Sequence, residues 1–281
     1  MRATRVAWAA FAALFLGSLL AQAEDAPLDE ATLRAARRVL PGIVRIQWRG
    51  RGERPTVVER HAIVVDPDGW LLLAGPPPPE EGTLAATLRD GRSMSARVWA
   101  SDARSALTLL RLPVAGLDAL AIRDVPTSEG GGVVPPRLRP GTSLVMVTAE
   151  GAVARGTLRG SHRRRRVGRP GSSPTEVTCL DEAALNVVRT DLGAPWIDAR
   201  GRVLGLLIGA DVSVPRIEGT DGERLRPRPE VVAAYAVPGP VLRAIWPLLR
   251  DRRRVPRSAL GVWTDPLSEI LQRHVCRDCG G

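Results

Sequence analysis

Lysine is absent from the 281 residues, so all 40 basic side chains are arginines. An amino acid missing altogether reflects composition, and arginine wealth alone therefore does not argue for anion recognition. Cysteine is almost as scarce, with Cys179, Cys276 and Cys279 the only three. An odd number excludes a disulfide framework, and the fold must rest on an apolar core that a chain of this length can bury. Histidine occurs only as His61, His162 and His274, which leaves no imidazole between Gly69 and Arg111. No serine stands in a Gly-x-Ser-x-Gly arrangement. Seven Trp beside one Tyr and two Phe, with 44% hydrophobic residues, suit a soluble globular protein. After the first 23 residues no apolar run is long enough to cross a bilayer.

Those first residues form a pattern of their own. Arg2 and Arg5 precede the apolar run Val6 to Leu20, and Ala21-Gln22-Ala23 supplies the small residues of a cleavage site. This reads as a secretory signal over 1–23, the alternative being an uncleaved anchor. The expected location is periplasmic or extracellular. Losing Arg2 and Arg5 leaves 38 basic against 30 acidic residues, so the exported chain stays basic. Nucleic acid is then not an expected partner. Arg163, Arg164, Arg165 and Arg166, with Arg169, make one basic segment and Arg224 to Arg228 a second. Anionic lipid head groups, envelope polysaccharide or an acidic protein would suit them, against the plainer reading of solvated loops.

From there the chain reads as short strands between turns, an all-β pattern. A helix is expected within 24–40, because Leu33, Ala36 and Leu40 fall at helical spacing before Pro41-Gly42. The first unit spans 41–122 and holds strands at 43–48 and 61–70, the latter carrying the turn signal Asp66-Pro67-Asp68-Gly69 at its end. A hairpin turning at Asp90-Gly91-Arg92 and the strand ending at Leu112 complete it. Residues 123–137 read as a linker rich in Pro, Gly and Val. The second unit, 138–250, has strands at 144–148, 152–158 and 177–185, a loop at 161–174, the strand-turn-strand of Val187 to Gly209, and a strand at 231–238. Helical spacing over Val241 to Arg250 closes it. Residues 251–281 form a tail.

Seven segments in order resemble the HtrA/Deg family of trypsin-like serine peptidases: His61 to Trp70 with its Asp-Pro-Asp-Gly turn, Leu84 to Ala100, Asp102 to Leu112, Ala152 to Leu158, Val187 to Gly209, Val231 to Pro238, and Arg257 to Val262. The last looks like the opening of that family's PDZ domain, with too few residues left for the rest. The resemblance implies two antiparallel six-stranded β-barrels side by side, a short N-terminal and a C-terminal helix, and a site in the cleft between the barrels. It places the family's catalytic histidine on Pro76, its aspartate on Ala106 and its nucleophilic serine on Leu192. The oxyanion-loop glycine and asparagine fall on Thr190 and Asp191.

Acyl transfer by that route needs a hydroxyl, an imidazole to take its proton and a carboxylate to orient the imidazole. Proline, alanine and leucine supply none of these, so the expectation is a pseudopeptidase without cofactor or metal, a scaffold or regulator holding a protein or peptide in the cleft. Two other readings stay open: a working serine endopeptidase with relocated residues, and an envelope protein that binds anions through its arginines. Of the histidines, His61 reads as a strand residue beside the cleft and His162 as a loop residue. Asp191, Asp198, Asp66 and Asp68 read first as turn residues. The Cys276/Cys279 pair admits a local disulfide, free thiols or, one ligand short of a closed site, a metal.

Overall fold

The computed structural model describes residues 28–51, 56–79, 81–123, 138–167, 174–185, 191–213 and 230–256. Helix α1, Glu30–Val39, starts where Asp29 accepts a 2.6 Å hydrogen bond from the Thr32 amide. Glu30 in its first turn and Arg37 and Arg38 in its last complement the helix dipole. Pro41 then ends it in a short 3-10 turn, Leu40–Gly42.

The first lobe is one antiparallel sheet of seven strands: β1 Ile43–Arg49, β2 Val57–Asp66, β3 Trp70–Ala74, β4 Thr83–Thr87, β5 Ser93–Ser95, β6 Arg97–Asp102 and β7 Leu107–Arg111. Their order is β5-β4-β1-β2-β3-β7-β6. The second lobe is a closed barrel of β8 Ser143–Val147, β9 Val153–Val167, β10 Thr175–Leu185, β11 Pro195–Ile197, β12 Val203–Ser213 and β13 Glu230–Pro238, ordered β10-β13-β12-β11-β8-β9. Helix α2, Gly239–Arg252, follows directly, with Pro240 in its first turn. The all-β architecture with a helix at each end is thus present, but the first lobe curls without closing. β5 pairs only with β4 and β6 only with β7, and a single residue, Ala96, separates β5 from β6, so the chain turns a corner where a ladder would have to close.

Residues 161–167, expected in a loop, continue β9. Cross-strand charge pairing explains the difference: Arg163 meets Glu182 at 2.6 Å, and Arg165 reaches Asp211 on β12 while its guanidinium lies 4.6 Å over the Tyr235 ring. A row of arginines becomes a tolerable strand when its neighbours carry carboxylates.

Strand register decides what faces the cleft. Ile43, Ile63, Leu72 and Leu109 lie opposite one another across four strands and form one face. All are fully buried, and they cluster with Val145, Ile197, Val203 and Leu206 of the barrel, so this row welds the lobes. Each such side chain contributes about 1.5–3 kcal/mol by leaving water. The other face, with Val44, Ala62 and Leu73, fills the first lobe, while Leu144, Trp196 and Leu207 fill the barrel. Helix α2 straps the barrel to the first lobe: Trp99 Nε1 donates to the Arg250 carbonyl at 3.1 Å, and Trp99 stands edge-on to Trp70 with centroids 5.3 Å apart.

Candidate functional site

Two residues beyond Ile43 on the same face the register continues Thr87, Arg45, His61, so the apolar weld becomes polar at its rim. Opposite that rim lie the β8–β9 turn and the loop leading into β11. His61 joins all three elements. Its amide donates to the Leu192 carbonyl at 2.8 Å, its Nδ1 accepts from the Ala149 amide at 3.3 Å, and its Nε2 lies 3.9 Å from the Glu150 carboxylate. Only 4% of it is exposed.

The loop fits because Gly193 has no side chain. Its φ is +88°, and a Cβ there would sit 1.8 Å from the His61 carbonyl oxygen. With that clearance Gly193 donates to the Leu207 carbonyl at 2.7 Å and Ala194 to the Asp191 carbonyl at 2.9 Å. Asp191 is thereby turned to the cleft wall, while Leu192 packs against the apolar cluster of Leu144 and Trp196.

Pro76 and Ala106 lie close together at the ends of β3 and β7. Gly75 donates to the Ala106 carbonyl at 2.6 Å, and Arg60 Nη1 donates to the Pro76 carbonyl at 3.1 Å. Ala106 is buried and has a φ of +52°, a left-handed conformation that costs about 1–2 kcal/mol in a residue with a Cβ. Leu192 meets the same strand through His61, next to Arg60. The dipeptide Arg60-His61 thus touches both the Pro76 end and the Leu192 loop.

A cavity of about 330 Å³ opens here, lined by Arg45, Arg60, His61, Glu150 and Asp191 among others. A second, of about 190 Å³, adjoins it and shares Arg45 and Glu150. Neutral imidazole has one lone pair. Because Nδ1 accepts from the Ala149 amide, that lone pair is in use and the ring proton is on Nε2, facing Glu150. Thr148, the hydroxyl lining the cavity, accepts from the Ala152 amide at 3.1 Å. The buried Ser105 hydroxyl donates to Asp102 at 2.6 Å. The cleft thus holds charge and hydrogen-bonding capacity, with the Thr148 and Ser105 hydroxyls engaged by the Ala152 amide and Asp102. Among the described residues no group of His, Cys, Asp and Glu is placed to hold a metal ion.

Other candidates lie elsewhere. Asp198 accepts from the Arg200 and Arg202 amides in the β11–β12 turn, and Asp66 accepts from the Asp68 amide, so both hold turns. Arg163, Arg164 and Arg165 face Glu182, Glu176 and Asp211, and Arg166 stands opposite Glu176 in the β9–β10 ladder. Burial pushes the Asp211 carboxyl up, but the Tyr235 hydroxyl and Arg165 outweigh it and hold the group below its ordinary range. Cys276, Cys279, His274, Thr190 and the signal segment lie outside the described residues. Arg45 and Glu150 were not legible as candidates: Arg45 shares its parity on β1 with Gln47 and Arg49, so in the sequence its charge reads as part of an ordinary polar face.

No protein-family model and no curated protein matches the sequence. Two solved structures of an HtrA-type protease, AlgWS227A, are similar to it, one with a tripeptide and one with a decapeptide. Each aligns with 86% of this chain at a TM-score of 0.58, with 17% and 15% identity over 70% and 73% of the respective chains. At that identity the likeness is one of fold: the chain has the trypsin-like, HtrA-type architecture, built as a closed six-stranded barrel beside a curled seven-stranded sheet.

Proposed function

We propose that this chain is an exported, catalytically inert protein of trypsin-like fold that holds a protein or peptide in the cleft between its lobes. The observation that carries the reading is the state of His61, whose Nδ1 is engaged by the Ala149 amide and whose Nε2 faces Glu150. A serine peptidase needs an imidazole lone pair directed at its nucleophile, and the side chains aligned with the family's trio are Pro76, Ala106 and Leu192. What favours binding is a polar, partly enclosed cleft between the lobes, where the family resemblance places the active site. Anion capture by Arg163 to Arg166 is less favoured, because carboxylates of the same chain face that segment. The proposed export rests on residues 1–23.

The mature protein should resist labelling by a fluorophosphonate and leave unfolded casein intact. Millimolar unstructured peptide should shift the amide resonances of His61, Ala149 and Asp191. Casein turnover abolished by changing a single residue would overturn the inertness, and unmoved resonances at the cleft would overturn the binding.

A further inference from the structure

The cleft contains one cation whose placement calls for an anionic partner. Arg45 is half-buried on β1, between Thr87 on β4 and His61 on β2, and it walls both cavities. Its charged neighbours are engaged with one another or with the backbone. Arg60 donates to the Pro76 carbonyl, Glu59 accepts from Gln47 Nε2 at 2.9 Å, and Glu150 lies beside His61. Asp191 also has contacts of its own. No carboxylate lies within ion-pair distance of Arg45 among the described residues. A partly desolvated guanidinium presents a planar fork of donors that matches a carboxylate in two-point fashion.

The surrounding charge narrows the choice of anion. Arg45, Arg60 and Arg89 line the joined cavities together with Glu59, Glu150 and Asp191, so the formal charges balance. With no net charge in the cleft, a dianion or polyanion leaves more uncompensated charge there than a single carboxylate, which brings one charge and fits the fork. We propose that Arg45 anchors a carboxylate of the bound peptide, seated where the two cavities meet beside Glu150. This deepens the cleft-binding reading and rests on it.

Acetyl-trialanine with a free carboxylate, the same peptide as its amide, and inorganic phosphate would each be titrated into the ¹⁵N-labelled mature protein. Charge-assisted hydrogen bonds of this kind are worth about a tenfold difference in affinity or more. The acid should therefore shift Arg45 Nε and the Ala149 and Glu150 amides at about one-tenth the concentration the amide needs, with phosphate weaker than the acid. Arg45→Gln should erase the preference for the acid, and Arg45→Lys should recover part of it. His61 shifts unchanged between apo wild type and Arg45→Gln would show that the cleft is intact in the variant. Equal binding of acid and amide, or a preference that survives Arg45→Gln, overturns the assignment to Arg45 and leaves the cleft reading standing. Tighter binding of phosphate overturns the choice of carboxylate. If neither peptide shifts the cleft, both readings fall.

Discussion

Replacing Asp181 by asparagine tests the packing of the barrel quantitatively. Asp181 lies on β10 opposite Ala236 and is 5% exposed. Burial pushes its carboxyl from 3.8 up to about 6, and the nearby Ser161 hydroxyl offsets part of this without reaching hydrogen-bond geometry. Between those two values the folded chain keeps a proton that the unfolded chain has released. Folding stability therefore falls as pH rises through the window and levels off above it. A shift of this size corresponds to about 3 kcal/mol. Asparagine does not titrate, so Asp181→Asn should gain about 2.4 kcal/mol on the wild type between pH 4 and pH 7, the part of the shift released above pH 4. The cost of burying the amide is a constant offset, and the other carboxylates are shared, so both cancel in that difference. Urea denaturation followed by tryptophan fluorescence across the window measures it. A gap between the two proteins that stays constant, or that narrows as pH rises, would refute the burial argument.

Two further outcomes follow from named contacts. Gly193→Ala places a Cβ 1.8 Å from the His61 carbonyl at a φ of +88°, and should lower stability by about 3 kcal/mol with loss of hydrogen-exchange protection at the His61 amide; a cost below about 1 kcal/mol would show that the loop does not lie against β2 as described. Trp99→Ala removes the bond to Arg250 and the edge contact with Trp70, and should cost about 3 kcal/mol while speeding exchange in α2 more than in β12; equal acceleration in both would mean that the helix is not held through Trp99.

Much of the fold was legible because its signals are local. The Asp66-Pro67-Asp68-Gly69 turn forms as read, with Gly69 at a φ of +92° donating to the Asp66 carbonyl at 3.2 Å. The Asp90 carboxylate holds the Arg92 amide at 3.0 Å, which fixes the β4–β5 hairpin. Asp198 caps its own turn. The parts that were not legible depend on residues far along the chain. Arg163 to Arg166 reads as a solvated loop until Glu176, Glu182 and Asp211 are brought beside it. Failure of the first lobe to close follows from how β5 and β6 choose partners, which strand alternation does not encode. The rim of the cleft is hardest to see, since His61, Ala149, Glu150 and Leu192 come from three separate stretches. Each looks ordinary in its own.

Backbone contacts explain how a fold can be recognised at 17% identity while the side chains of a site change. The Pro76 and Ala106 ends are tied by Gly75 N–H to the Ala106 carbonyl, and the Leu192 loop is tied to β2 by the His61 amide. Neither bond depends on which side chains those positions carry, apart from the clearance at Gly193. On the proposed reading, a buried proton relay, which is costly to desolvate, has given way to an apolar packing residue at 192, a small buried residue at 106 and a proline at 76. His61 then acts as a strut between lobes. On that same reading, an imidazole whose lone pair holds a backbone amide in place cannot also take a proton from a nucleophile, so the contact that steadies the cleft also keeps His61 from replacing the lost base.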